Sequence, residues 1–209
     1  MGVERDTLLY WAAQHFLQLA YLLLFRIRAW GVERVPRRGG VLLAANHQSF
    51  LDPPAVGVVL PRQIGYMARS TLFQVPGLGA LIRRLHAFPV ARDRADLKAI
   101  RSAIAVLKAG NGLLLFPEGT RTPDGAMRPF KPGFALVAAR ARVPIVPVAV
   151  DGTFKAWPRH LWVPRAARVR VSFGEPLGPP ADERAACIEA AAEVQRRVIA
   201  LRAELRNRE

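Results

Sequence analysis

"VLLAANHQSFLDPPAV", residues 41 to 56, joins five apolar residues to a polar turn and then to a pair of prolines. The apolar run does not alternate with polar residues, so it reads as a strand buried on both faces, as in a parallel sheet. Asp52 followed by Pro53 and Pro54 predicts a helix start, with Asp at the N-cap and proline at the first helical position. Asn46, His47, Gln48 and Ser49 then fall in a strand-to-helix turn. In open α/β sheets, ligands gather outside the carboxyl ends of the strands, where such turns lie.

The same alternation runs outward along the chain. Residues 64–68, 86–91, 112–117, 144–150 and 168–174 read as further strands. Between them, Leu97, Ile100, Ile104 and Leu107 form a helical stripe that stops at Gly110. A second long helix is expected from Asp182 to Arg206, with Ile188, Ala191, Val198, Leu201 and Leu205 on one side. Alternating strands and helices predict an α/β fold: a layered domain over residues 31–209, with a largely parallel sheet flanked by helices.

Residues 1–30 stand apart as a membrane-anchoring helical segment. From Leu8 to Phe25 no residue carries a full charge, and a helix of that length would span about 27 Å, slightly short of a hydrocarbon core. Gln14, His15 and Gln18 lie on one side, while Phe16, Ala20, Leu23 and Leu24 lie on the other. That pattern favours a helix embedded in one leaflet over a full span or a buried core helix. The preceding "VERD" (3 to 6) is not basic, which argues against a signal peptide. Arg26 and Arg28 favour a cytoplasmic side. The expected location is thus the cytoplasmic face of the cell membrane, monotopic or peripheral.

Composition narrows the partners. With 31 Lys+Arg against 16 Asp+Glu the net charge is +15, and only Lys98, Lys108, Lys131 and Lys155 are lysines. An arginine-rich surface attracts anions, whether nucleic acid, an anionic membrane or a phosphorylated substrate. Cys187 is the single cysteine, so no internal disulfide forms, and no Cys/His cluster has metal-ligand spacing.

Within the opening turn, His47 and Asp52 are five residues apart. On one helix they would diverge by about 140°. In a turn, the carboxylate can reach one ring nitrogen and leave the other facing outward, which is how a general base is held in one tautomer. The plain alternative is that Asp52 caps the helix while His47 satisfies the turn. A second turn, "FPEGTRTPDG" (116 to 125), also follows an apolar strand. Gly119 permits close backbone approach, and Arg121 offers a planar fork of donors matched to phosphate. Lys131 and Gly133 follow, the latter opening a helix whose N-terminus also favours an anion.

His-x4-Asp in "NHQSFLD" (46 to 52) followed by "FPEGTR" (116 to 121) resembles the glycerolipid acyltransferases, most closely the 1-acylglycerol-3-phosphate acyltransferases that make phosphatidic acid. "AFPVARD" (87 to 93) and "VPIVPVAV" (143 to 150) stand in the order of two weaker family blocks, so the likeness covers roughly residues 35 to 155. The family usually has a glycine ahead of the first of these blocks, where His86 and Ala87 stand here. The resemblance implies catalytic roles for His47 and Asp52: the imidazole takes the proton of the acceptor hydroxyl, and that oxygen attacks a thioester carbonyl. It implies that Arg92, Glu118, Gly119, Thr120, Arg121 and Lys131 bind substrate, gripping the phosphate of lysophosphatidic acid. It implies no metal and no tightly bound cofactor, with acyl-coenzyme A or acyl carrier protein as co-substrate and anionic membrane lipids as partners. Residues 66–84 read either as a second lipid-contacting segment or as core.

Other readings remain. Glycerol-3-phosphate, another lysophospholipid or a lyso-ornithine lipid would suit sibling enzymes, and a catalytically silent lipid-binding membrane protein would keep the same residues. A nucleic-acid binder would explain the charge, but no helix-turn-helix, zinc-finger or RNP-like pattern accompanies it, so no nucleic-acid partner is expected.

Overall fold

The computed structural model describes residues 15, 18, 19, 21–77, 79, 82, 83, 87–90, 97–158 and 160–208. Seven strands form one sheet: β1 (Arg28–Trp30), β2 (Val41–Ala45), β3 (Ile64–Arg69), β4 (Ala87–Val90), β5 (Gly112–Leu115), β6 (Ile145–Asp151) and β7 (Arg170–Phe173). Their spatial order is β1-β7-β6-β2-β5-β3-β4. The five strands from β6 to β4 are parallel, and β7 pairs antiparallel with β6 before β1 adds parallel to β7.

β2 lies between β5 and β6, with Leu42 opposite both Leu113 and Ile145. Every residue of it is buried, which is why its sequence is unbroken apolar. Successive side chains serve two different cores. Leu42 and Ala44 face helices α2 (Leu97–Lys108), α3 (Gly133–Ala141) and α5 (Arg184–Asn207). Val41, Leu43 and Ala45 face α1 (Asp52–Val58), the short α4 (Thr153–Ala156), and Tyr21 and Phe25 of the helical residues 21–25.

The expected strands all appear, with bounds within about two residues. Three features differ. Arg28–Trp30, inside the segment expected to anchor, adds to the sheet as an edge strand through backbone pairing with β7. Leu51 is the N-cap of α1, and Asp52 is its first residue. In α2 the buried stripe is Ala99, Ala103 and Leu107, while Leu97 is 63% exposed; small alanines let this helix pack closely on α3. Among the described residues no helix is long and apolar enough to cross a membrane. Residues 1–14, 16, 17 and 20, on which much of the anchor expectation rests, lie outside the described residues, as does Arg92.

Candidate active site

The turns after β2 and β5 meet because those strands are neighbours. His47 Nδ1 lies 2.8 Å from Asp52 Oδ2. The same carboxylate oxygen accepts the backbone N–H groups of Gln48 and Ser49. Asp52 is fully buried, so its charge is compensated by these donors rather than by water. The expected cap is thus turned backward: the carboxylate organises the preceding loop instead of the helix N-terminus, where α1 makes no side-chain cap bond.

Several groups fix the imidazole from other sides. Its ring stacks on Phe116, with centroids 4.0 Å apart and planes 19° from parallel. Its backbone N–H donates to Glu118 Oε1 at 2.7 Å, and its carbonyl accepts Thr122 N–H at 3.0 Å. Glu118 Oε2 accepts the N–H of Arg128 at 2.9 Å. Glu118 is buried, and this desolvation pushes its carboxyl above the usual range, against the lowering effect of those backbone donors. It stands beside His47 as a strut between the turns and does not line the cavity. Asn46 extends the register outward, exchanging two bonds with the backbone of Val150 on β6.

With Nδ1 engaged by Asp52, Nε2 is the nitrogen left to act on a substrate. His47 is only 7% exposed, yet it lines a cavity of about 550 Å³, within the range of ligand sites. Gly119, Thr120, Arg121 and Lys131 line its polar part. Gly119 has a φ of +75° and sits against the Lys131 side chain, where a Cβ would come within 3.4 Å of Nζ. The Arg121 guanidinium lies 3.4 Å above the centre of the Phe50 ring, a stacking that aims its donor fork. The remainder of the wall is apolar, including Met67, Leu72, Ile100, Phe134 and Val137. Met67, Ala68, Thr71 and Leu72, from the segment read as either lipid-contacting or core, thus line this cavity.

An acyltransferase family model matches residues 26–151. The chain belongs to the acyltransferase family. It is 33% identical over 152 residues to the 1-acyl-sn-glycerol-3-phosphate acyltransferase of Bacillus subtilis (strain 168), covering 72% of this chain and 73% of that one. It is 30% identical over 184 residues to the enzyme of that name from Streptococcus pneumoniae, covering 84% of this chain and 65% of the relative. Against the chloroplastic BAT2 enzyme of Brassica napus it is 31% identical and spans 38% of the longer protein. The crystal structure of the 1-acyl-sn-glycerophosphate (LPA) acyltransferase PlsC from Thermotoga maritima superposes with a TM-score of 0.85 at 27% identity, covering 98% of this chain and 82% of that one.

His47, Asp52, Gly119, Thr120, Arg121 and Lys131 thus come together in this acyltransferase, with Glu118 just behind them. Sequence reasoning missed Phe116, the ring support. Its place at the end of β5, one strand from the histidine turn, was the available signal. It also missed Tyr21, whose hydroxyl donates to the carbonyl of Leu51 at 2.8 Å. Burial, and secondarily the charge of Asp52, raises the Tyr21 hydroxyl well above its ordinary value, so it stays a donor. Ser49 donates to the carbonyl of Trp157 and Cys187 is buried in the α5 core, which leaves neither poised as a nucleophile.

Proposed function

We propose that this acyltransferase moves a fatty acyl group from acyl-coenzyme A or acyl carrier protein to the free hydroxyl of 1-acylglycerol-3-phosphate, giving phosphatidic acid. The observation that carries the reading is that His47, braced by Asp52, lines the same cavity as the cations Arg121 and Lys131. Nε2 of His47 takes the proton as the hydroxyl oxygen attacks the thioester carbonyl. The tetrahedral intermediate collapses, the carbon–sulfur bond breaks, and the departing thiolate receives the proton from the imidazolium. Asp52 supports the positive charge that His47 carries between those steps.

Arg121 and Lys131 hold the acceptor phosphate, aided by the backbone at Gly119 and Thr120. Holding it places the hydroxyl against the base, and such orientation contributes up to roughly 7 to 11 kcal/mol in well-aligned cases. The apolar wall takes an acyl chain. Proton transfer and phosphate binding suffice for this chemistry, so the reaction calls for no metal or bound cofactor.

The enzyme acts at the cytoplasmic face of the cell membrane. Support comes from an inverted helix face. Gln18 turns inward and donates to the carbonyl of Val58 at 2.6 Å, whereas Leu19, Leu22, Leu23 and Leu24 are each more than half exposed. A helix facing water has the opposite arrangement. The test is an assay of the purified protein with radiolabelled acyl donor against acceptors with and without a phosphate, glycerol-3-phosphate and a lyso-ornithine lipid included. Preference for 1-acylglycerol-3-phosphate is expected, and equal labelling of phosphate-free acceptors would refute the assignment.

A further inference from the structure

Four arginines that the proposed reaction does not use converge at the catalytic end of the sheet. Arg28 on β1 and Arg170 on β7 are direct register partners. Arg26 and Arg168 join them around a cavity of about 190 Å³. Because β7 runs antiparallel to β6, Arg170 stands opposite Asp151 at the carboxyl end of β6, the same end from which the His47 turn leaves β2. β1 is three strands away from β2, or about 14 Å. The cluster is distinct from the acyl-transfer cavity and shares no lining residue with it.

Like charges brought this close repel unless an anion sits among them. Among the described residues none of the four forms an ion pair. The carboxylate nearest by register, Asp151, is engaged by Arg202 and Arg206 at 3.3 and 3.4 Å. Arg26 also holds a left-handed backbone, with φ +42°, a conformation that costs energy in an L residue. A favourable end to helical residues 21–25 accounts for that arginine alone.

What flanks the cluster identifies its occupant. Leu19, Leu22, Leu23 and Leu24, between 54% and 68% exposed, run directly into Arg26. Trp162 at 95% and Val163 at 71% exposure stand in the loop that leads to Arg168. A soluble anion gives the leucines and the tryptophan nothing to bury against. An anionic bilayer offers a phosphate for the guanidiniums and an acyl boundary for the apolar side chains, with tryptophan at its preferred interfacial depth. We propose that Arg26, Arg28, Arg168 and Arg170 bind the phosphate of an anionic bulk lipid and so seat the catalytic end of the sheet against the membrane. The proposal rests on the reading that the acceptor is a membrane lipid, but the phosphate bound here belongs to the bilayer and not to the acceptor.

The experiment measures co-sedimentation of the full chain with vesicles of phosphatidylcholine alone and of phosphatidylcholine mixed equally with phosphatidylglycerol. R28Q/R168Q/R170Q should weaken binding to the mixed vesicles by about fivefold per arginine, on the order of 100-fold together. Binding to phosphatidylcholine alone, the melting temperature and turnover of detergent-dispersed acceptor should match wild type, and R28K/R168K/R170K should retain most of the affinity. Failure here with turnover intact would thus leave the acyl-transfer reading standing. Equal binding of wild type and the glutamine variant to mixed vesicles overturns the proposal. So does an equal loss on both kinds of vesicle, which would assign the arginines to the fold. Unchanged vesicle binding with turnover lost only for an acyl carrier protein donor overturns it as well, making the cluster a dock for an acidic protein.

Discussion

The turn after β2 is closed on itself, whereas the turn after β5 directs its charges outward. Asn46, His47, Gln48, Ser49 and Asp52 are all buried, and each is held by hydrogen bonds to neighbouring backbone or side chains, with Nε2 of His47 left open to the cavity and Oδ1 of Asp52 buried without a partner. Across the cavity, Gly119 and Lys131 are exposed and Arg121 is half-buried. The difference suits the two proposed tasks. A general base must hold one tautomer within a narrow range of positions, and burial with directed hydrogen bonds achieves this. A phosphate grip needs charged donors that stay accessible and can close on an incoming ligand. Glu118 belongs to the second turn in sequence and to the first in function, since its carboxylate braces the His47 backbone.

Substitutions that break the closed turn should have the largest effects, and on kcat. His47→Ala removes the base and should lower kcat by about 10³-fold, with acceptor binding in equilibrium dialysis unchanged. Retention of more than a few per cent of activity would take His47 out of that role. Asp52→Asn should cost between roughly 10² and 10⁴ in kcat and should also lower the melting temperature, because an uncharged amide oxygen accepts more weakly the three bonds that Oδ2 now receives and the amide N–H groups would be buried at the unpartnered Oδ1 position.

The open turn should respond in KM instead. Arg121→Ala should raise the acceptor KM by about 10- to 100-fold, the range of a lost charge-assisted bond, and leave the donor KM near its wild-type value. Equal changes for both substrates would argue against phosphate recognition at this position. Glu118→Gln joins the two behaviours. It preserves shape but sets an amide N–H against a backbone donor, and kcat should fall roughly tenfold through displacement of His47, with the acceptor KM little changed. A rise in acceptor KM at constant kcat would instead place Glu118 among the binding groups.

The smallest effect is one of pH. The folded protein holds the Glu118 proton more tightly than the unfolded chain does, since burial raises it above 4.5. As pH climbs from that value, the unfolded chain releases its proton first and gains stability relative to the fold. Over this interval the wild-type melting temperature should fall relative to that of E118Q, whose amide does not titrate. Parallel melting curves across the interval would show that the carboxyl is not perturbed by its burial.

Much of this contrast was legible in residue order. The unbroken apolar runs of β2, β5 and β6 predicted a parallel sheet because central strands bury both faces, and prolines 53 and 54 marked a helix start. His47 and Asp52 could be paired because a turn, unlike a helix, lets them face each other. Other features were hidden for physical reasons. β1 has three residues, one of them an exposed arginine, and is held by backbone bonds that leave no side-chain signature. The rotation of α2 reflects alanines chosen for close packing, which hydrophobicity alone ranks below leucine and isoleucine. Glu118 looked like a ligand-facing group because its neighbours in sequence are; only the pairing of β2 with β5 brings its carboxylate under His47.

The division of labour between the turns is tested most directly by the ratio of kcat/KM for 1-acylglycerol-3-phosphate to that for 1-acylglycerol, in wild type and in R121A/K131A. The two acceptors differ only in the phosphate, so the ratio isolates its recognition from the proton transfer. The ratio should collapse toward unity in the double variant while turnover of the phosphate-free acceptor stays at its wild-type level. A ratio that survives the double substitution, or a matching loss with both acceptors, would contradict the account.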